Sequence, residues 1–310
     1  DSAMLTRMMV PEMEKQGYDR AFASAVTASG SLITPIIPPG IALIIYGLVA
    51  DVSIGKMFMA GILPGLLCCI LLMTAAYVVS KRRGYVPSRQ HWPDRHEVKT
   101  TLIGAWPALF LVVAIIGGIR LNVFTPTEAG AIAVGLVIII GFFIFKEMKV
   151  SDVSNALLDT AKSTAAVMLV IMASSVLAWI FSLEHAGDKL AAVIMNFTTN
   201  KYVFLIAVNV VLLILGMLIE GTAIMIVLVP LLMPVVLKLG IDPVHFGIVM
   251  ILNLAIGCLT PPVGTVMLLV CNLAKVSVAD FMRQSGLLFL ALFTALALVT
   301  FVPFFSLGLL

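Results

Sequence analysis

Two stretches of this chain repeat one another, and that repeat limits the possible folds more than any other feature. Pro11-Glu-Met-Glu-Lys15-Gln-Gly17-Tyr-Asp19 leads into an apolar run ending in Pro38-Pro39. Pro234-Val-Val-Leu-Lys238-Leu-Gly240-Ile-Asp242 leads into another ending in Pro261-Pro262. The offset is constant, 234 − 11 = 223 and 262 − 39 = 223. At that offset Pro11, Lys15, Gly17, Asp19, Val26, Ile33, Pro38 and Pro39 meet identical residues, eight identities in the 29 positions from Pro11 to Pro39. Shared hydrophobicity does not account for the charged, Gly and Pro matches. A shift of one residue aligns Ala50-Asp-Val52-Ser53 with Ala274-Lys-Val276-Ser277.

The chain is 61% hydrophobic and 11% charged, whereas a soluble domain carries about 25% charged residues. Lipid is therefore its solvent. Backbone groups in lipid must bond internally, which leaves a helical bundle or a closed barrel. Barrel strands would alternate with polar lumen faces every ten residues or so. The runs here are long and rich in Leu, Ile, Ala, Gly and Met, so an all-α polytopic membrane protein is expected. Cys68, Cys69, Cys258 and Cys271 lie inside apolar runs and read as small packing residues. No His pair has zincin spacing. The expected surroundings are a lipid bilayer, with no nucleic-acid partner.

A membrane-crossing helix needs about 20 apolar residues. Ala21–Ala50 is one candidate, interrupted at Thr34–Gly40. Phe58–Ser80, Leu102–Leu121, Ala129–Phe145 and Ser163–Leu183 follow as uninterrupted spans. Ser151–Thr164 reads as an amphipathic interfacial helix. Tyr202–Leu218 and Thr222–Leu239 flank the polar tip Glu220-Gly221-Thr222 and read as a re-entrant hairpin. Val244–Leu273 is interrupted at Gly257–Gly264, and Leu287–Leu310 is the last span. Thr125-Pro-Thr-Glu128 reads as a capping box. His185 and His245 fall at span ends and read as interfacial.

Orientation follows from Lys and Arg in the short loops. Lys81, Arg82, Arg83, Arg89, Arg95 and Lys99, against Asp94 and Glu97, assign the loop after Ser80 to the cytoplasm, and His91 and His96 lie in the same loop. Asn122–Thr125 then falls outside, Lys146, Lys149 and Lys162 inside, Glu184–Lys201 outside, and Lys275 and Arg283 inside. An even number of crossings separates the two broken spans, whether or not the hairpin crosses fully. The two copies therefore run in opposite directions, an inverted repeat. The chain starts at Asp1, and its first copy lacks the apolar arm that precedes the second. A C-terminal part of a longer polypeptide is expected.

The proline pairs are where chemistry should sit. Proline lacks an N–H, clashes with the preceding turn and disfavours helix just before it. Carbonyls are freed around Thr34, Ile36 and Ile37 in the first copy, and around Gly257, Leu259 and Thr260 in the second. Each helix end adds partial negative charge. Freed carbonyls beside a dipole end suit a small hard cation such as Na⁺, and the hydroxyls of Thr34 and Thr260 can add oxygens. At the hairpin tip, Gly216 and Gly221 permit close backbone approach, and the arm restarting at Thr222 presents helical N–H groups. Glu220 is an acid near membrane depth, with a capping role as its alternative reading. Thr27, Ser29, Ser31, Asn253, Thr265 and Asn272 flank the breaks. Singly each would be structural, bonding back to its own helix. Together Ser29, Ser31, Asn253 and Thr265, with Glu220 and Thr222, are candidate substrate contacts.

These residues resemble the large membrane subunit of tripartite ATP-independent periplasmic (TRAP) transporters. The matching stretches are Gly17-Tyr-Asp19, Thr34-Pro-Ile-Ile-Pro-Pro39, Ile44-Ile-Tyr46-Gly47, Ala60-Gly-Ile-Leu-Pro-Gly65, Phe124-Thr-Pro-Thr-Glu-Ala129, Gly240-Ile-Asp-Pro-Val-His-Phe-Gly247 and Leu259-Thr-Pro-Pro-Val-Gly264. The resemblance implies an elevator-type, Na⁺-driven symporter of a small organic acid such as sialic acid, a C4-dicarboxylate or a sugar acid, in the bacterial inner (cytoplasmic) membrane. It further implies a periplasmic substrate-binding protein and a small membrane subunit as partners, and no enzymatic activity. It places one Na⁺ at Thr34, Ile37 and Pro39 with residues of a preceding hairpin tip. Another would lie at Gly216, Gly257, Thr260 and Val263. Family members often carry Gly where Thr34 stands and Asp where Glu220 stands. The implied division is 1–56 and 201–282 as transport parts, 57–200 as scaffold and connection, and 283–310 as a last helix.

Three rivals are weighed from the residues. A channel would need a continuous polar pore lining, and the spans hold few polar stripes. An intramembrane enzyme would need paired acids, a Ser/His pair or metal ligands within spans. A proton-coupled carboxylate transporter would have to use Glu220 or Glu128.

Overall fold

The computed structural model of the chain describes residues 2–85, 94–121 and 123–310. Arg89 and His91 of the basic loop, Asn122 of the next loop, and Asp1 lie outside the described residues. The chain forms two compact units, Asp1–Ser88 with Val176–Leu310, and Arg89–Ser175. The first repeat contributes α1 (Ser2–Lys15), α2 (Arg20–Ser31), α3 (Ile41–Val49) and α4 (Ile54–Arg82). Next come α5 (Arg95–Arg120), α6 (Pro126–Ile139) with a π-helical turn over Ile140–Phe145, α7 (Val150–Leu183) and α8 (Ala186–Phe197). The second repeat contributes α9 (Lys201–Leu218), α10 (Gly221–Lys238), α11 (Pro243–Gly257), α12 (Thr265–Ala274) and α13 (Val278–Phe301), and α14 (Phe304–Leu307) closes the described chain. Among the described residues, seven helices are long and apolar enough to cross a membrane.

The repeat in sequence is a repeat in local structure, because its matched residues are those that start and stop helices. Gly17 and Gly240 end α1 and α10 with positive φ, +84° and +66°, which glycine adopts without a Cβ penalty. The Tyr18 and Ile241 amides close the two turns onto Met13 and Val236. Asp19 and Asp242 cap α2 and α11, accepting from Phe22 N at 2.9 Å and from Val244 N at 2.7 Å. Such caps contribute about 1 kcal/mol each. After the breaks, Asp51 and Lys275 both take φ 54°. Ser53 and Ser277 then cap α4 and α13 through the amides of Lys56 and Asp280.

Packing in this unit exchanges elements between the repeats. The α1 helix lies on α12 of the other copy, and α10 lies reciprocally on α3. Likewise α2 packs on α13, and α11 on α4. Helices α4 and α13 pack on each other and share one compact unit with both broken spans. The arms α9 and α10 share α11 but differ otherwise: α9 runs mainly along α11, while α10 also runs along α3 and α8. The core on these contacts is apolar, with Phe22, Leu43, Met57, Leu212, Phe246 and Phe281 fully buried. One buried phenol joins the repeats: Tyr46 of α3 donates to the Pro243 carbonyl at the start of α11, 2.6 Å away.

The fold departs from the sequence reading in four places. Ser151–Thr164 is not a separate interfacial helix but the first part of α7. No Gly or Pro interrupts Val150–Leu183, and its 34 residues extend about 51 Å, well beyond the hydrocarbon thickness. Within Glu184–Lys201, read as a loop, α8 forms and rests on α10. A Cβ on Gly187 would lie 2.8 Å from the Pro234 ring, and Asp188 pairs with Lys238 at 2.8 Å. The last span runs over Val278–Phe301 and stops at Pro303, which cannot continue it. His245, at the start of α11, faces protein rather than solvent: it is 4% exposed and its Nδ1 lies 2.6 Å from the Ser306 hydroxyl of α14. The Thr125 box forms as expected, with Thr125 and Glu128 each bonding the other's backbone amide.

Candidate ion and substrate site

Both helices stop where the proline pairs dictate. The α2 helix ends at Ser31 and unwinds through tight turns, Leu32 N to Ser29 O, Ile33 N to Gly30 O and Thr34 N to Ser31 O. A turn centred on Ile33 follows, its carbonyl accepting from the amides of Ile36 and Ile37 at 3.0 and 3.1 Å. The second break repeats this turn, Leu259 N to Ile256 O at 3.0 Å. Both Pro–Pro peptide bonds are cis. Among the described residues, the carbonyls of Thr34, Pro35, Ile36 and Ile37 accept no hydrogen bond, nor do those of Leu259, Thr260 and Val263. The Gly257 carbonyl differs from expectation by accepting from Thr260 N at 2.9 Å, which leaves it one lone pair.

The tip of α9 meets the second break at backbone distance. A Cβ on Gly257 would lie 2.8 Å from Gly216 Cα, and one on Gly216 would lie 3.2 Å from Gly257 Cα. Only glycine at both positions allows this approach. The Gly264 amide then crosses to the Met217 carbonyl at 3.0 Å. The Gly216 carbonyl accepts no hydrogen bond among the described residues. Thr260 donates to Ile256 O at 2.8 Å, so its oxygen keeps lone pairs for another partner. Gly216, Gly257, Thr260 and Val263, singled out from the sequence, thus come together at one place.

The first break opens onto a cavity of about 390 Å³. One wall is Thr34, Pro35, Pro39 and Gly40 with the start of α3; another is Glu220, Gly221, Thr222 and Met225; the third is Ile251, Leu254, Ala255 and Cys258 of α11. Its lining carries one carboxylate and no Lys or Arg. Glu220 caps α10, accepting from Ala223 N at 3.2 Å and from the Thr222 hydroxyl through the same oxygen. Its other carboxylate oxygen is left for a further donor.

The remaining candidates lie elsewhere. Ser29 is buried, its hydroxyl without a partner among the described residues. Ser31 bonds back to Ala28 O and receives the Ser2 hydroxyl, both at 2.8 Å. Asn253 is buried against α9. Thr265 begins α12 and is exposed. None of these four lines the cavity. Ile37 turns from the cavity toward α4, where a Cβ on Gly65 would overlap its side chain. Gly61 of α4 presses on the Ile36 carbonyl in the same way. Reading the sequence missed these two glycines. Their four-residue spacing on an apolar helix is the small-residue pattern of close helix approach.

Interrupted helices whose loosened backbone meets a hairpin apex, beside a cavity in an all-α membrane bundle, define the architecture of membrane transport proteins. The chain belongs to the family described as tripartite ATP-independent periplasmic transporter, DctM component, which it matches over residues 1–305. It is 38% identical over 307 residues to the sialic acid TRAP transporter large permease protein SiaM of Vibrio cholerae, covering 99% of this chain and 71% of that one. To the 2,3-diketo-L-gulonate TRAP transporter large permease protein YiaN of Escherichia coli it is 35% identical over 303 residues, 98% of this chain and 71% of that one. To the isethionate TRAP transporter permease protein DctMQ of Oleidesulfovibrio alaskensis it is 35% identical over 304 residues, 97% of this chain and 47% of that one. The chain is a multi-pass inner-membrane protein of a transport family rather than an enzyme family.

Proposed function

We propose that this chain couples the inward movement of Na⁺ to that of a small organic acid. One observation supports this most: two repeat-related helix breaks carry unbonded main-chain oxygens, and one of them touches a hairpin apex through paired glycines. Neutral oxygens at a helix C-terminus suit a singly charged hard cation, and no charged ligand is required. The oxygens available are those of Thr34, Ile37 and the Pro39 region at the first break, and of Gly216, Gly257, Thr260 and Val263 at the second.

Charge balance in the cavity favours coupling. An anion entering it would meet the Glu220 carboxylate and no basic side chain. A cation at an adjoining break offsets that repulsion, so ion and acid bind better together than apart, which is the thermodynamic content of symport. Thr34 and Thr222 supply hydroxyl contacts, and the free oxygen of Glu220 accepts from a hydroxylated substrate. Relatives named for sialic acid and 2,3-diketo-L-gulonate fit this chemistry. A periplasmic binding protein would deliver the acid and a small membrane subunit would complete the assembly. Residues 1–56 and 201–282 would form the moving part of an elevator, its two states related by the inverted repeat.

The test is uptake into proteoliposomes containing the intact transporter, with a binding protein loaded in turn with sialic acid, 2,3-diketogulonate and a C4-dicarboxylate. Uptake that needs an inward Na⁺ gradient supports the reading. Equal rates with and without that gradient reject it.

A further inference from the structure

Arm α9 is fastened along one seam at two levels, at its apex to α11 and the N-cap of α12, and farther down to α11. At the apex the Gly264 amide holds the Met217 carbonyl, and beside it Gly216 meets Gly257. Farther from the apex, Asn253 of α11 donates through Nδ2 to both the backbone carbonyl and Oδ1 of Asn209 on α9, at 2.9 and 2.7 Å. Asn209 in turn donates to the Thr300 hydroxyl of α13 at 3.1 Å. Asn253 and Thr300 are buried. Asn209 precedes Gly216 by 216 − 209 = 7 residues and Asn253 precedes Gly257 by 257 − 253 = 4. Both spacings return to the same helix face.

The rest of α9 buries Phe204, Leu205, Val208 and Leu212. Such apolar side chains slide along a neighbour at little cost when lipid is the alternative solvent, so directional bonds and small-residue contacts must set the register. Neither Asn lines the cavity. The repeat-related position of Asn253 is 253 − 223 = 30, a glycine, so the device serves the second break alone.

We propose that Asn253 and Asn209 are positioning residues that fix the height and rotation of α9 on α11. They thereby hold the Gly216 carbonyl against Gly257, Thr260 and Val263 without touching ion or substrate. This rests on the sodium reading above. Asn253→Ala removes both bonds to Asn209, whereas Asn209→Ala leaves the backbone acceptor in place. In proteoliposomes carrying the intact transporter, Asn253→Ala raises the Na⁺ concentration for half-maximal uptake by at least about tenfold, the scale of a lost outer contact. Asn209→Ala raises it roughly threefold, since it removes one of the two bonds to α11 and, with it, the bond to Thr300 of α13. Half-saturation by the acid, measured at saturating Na⁺, stays within about twofold of wild type in both variants. The Na⁺-induced rise in thermal midpoint of the purified protein moves in parallel and reads binding without transport.

An unchanged Na⁺ response in folded Asn253→Ala overturns the proposal, as does an equal loss of ion and acid affinity. Should Asn253→Ala not fold, an unchanged Na⁺ response in Asn209→Ala overturns it. Wild-type uptake indifferent to Na⁺ overturns the sodium reading itself, and is measured first.

Discussion

At the first break the helix pressed against the loosened carbonyls is α4, and at the second it is α9. The turns share the capping Asp, the bond closed onto Ile33 or Ile256 and the proline pair, and differ in one bond, since Ile37 N returns to Ile33 O but Thr260 N to Gly257 O. What lies behind them is not shared. Gly61 and Gly65 let α4 settle on Ile36 and Ile37. With the one-residue shift of offset, 61 + 224 = 285 and 65 + 224 = 289, the corresponding residues of α13 are Ser285 and Phe289. A phenylalanine there cannot offer the same flat surface, and the second break instead takes its backing from Gly216 of α9. Repetition therefore reproduces the turn, while the surroundings of each site depend on side chains that the copies do not share.

Gly61→Ala should break that comparison hardest. A Cβ there overlaps a backbone oxygen that no rotamer change can move, so overpacking of roughly 1–3 kcal/mol is expected, read as a fall in thermal midpoint with loss of uptake. Ser285→Ala should leave both nearly unchanged; equal damage at the two positions would mean that α4 and α13 back their breaks alike. Gly257→Ala comes next, in the same ~1–3 kcal/mol range, because its Cβ would lie 2.8 Å from backbone atoms of Gly216, a milder overlap than that of a Cβ on Gly61 with the Ile36 carbonyl. Its mark is a weaker Na⁺ response with the first break intact. Tyr46→Phe, which removes the bond between α3 and Pro243, should cost about 1 kcal/mol of stability without a change in ion affinity. Smallest is the threonine pair. Thr260→Val should raise half-saturating Na⁺ by roughly threefold, a hydrogen bond's worth, and Thr34→Val less, since Thr34 is exposed. The reverse order would place the better-defined cation site at the first break.

Much of this was legible in the residues. The repeat was, and the residues that carry it, Asp19, Asp242, Ser53, Ser277, Gly17 and Gly240, prove to start and stop helices through their immediate neighbours. The clustering of Gly216 with Gly257, Thr260 and Val263 was legible through the family pattern. Interactions across the chain were not. Nothing local to Asn209 announces Asn253, and nothing in the first repeat announces that α1 will lie on α12. Ser29, Ser31 and Asn253 were read as substrate contacts because polar residues flank the breaks. A helix has an inner and an outer side, and these three face inward. The α7 boundary failed for another reason: polar composition suggested an interface, but no residue there can stop a helix.

The exchange of α1 onto α12 and of α10 onto α3 bears on how the protein is made. The N-terminal copy leaves the ribosome some two hundred residues before its counterpart, since 234 − 11 = 223. During that interval α1 and α3 lack α12 and α10, the surfaces they will later cover. Severing the polypeptide between the copies would yield two fragments that each depend on the other to complete a shape.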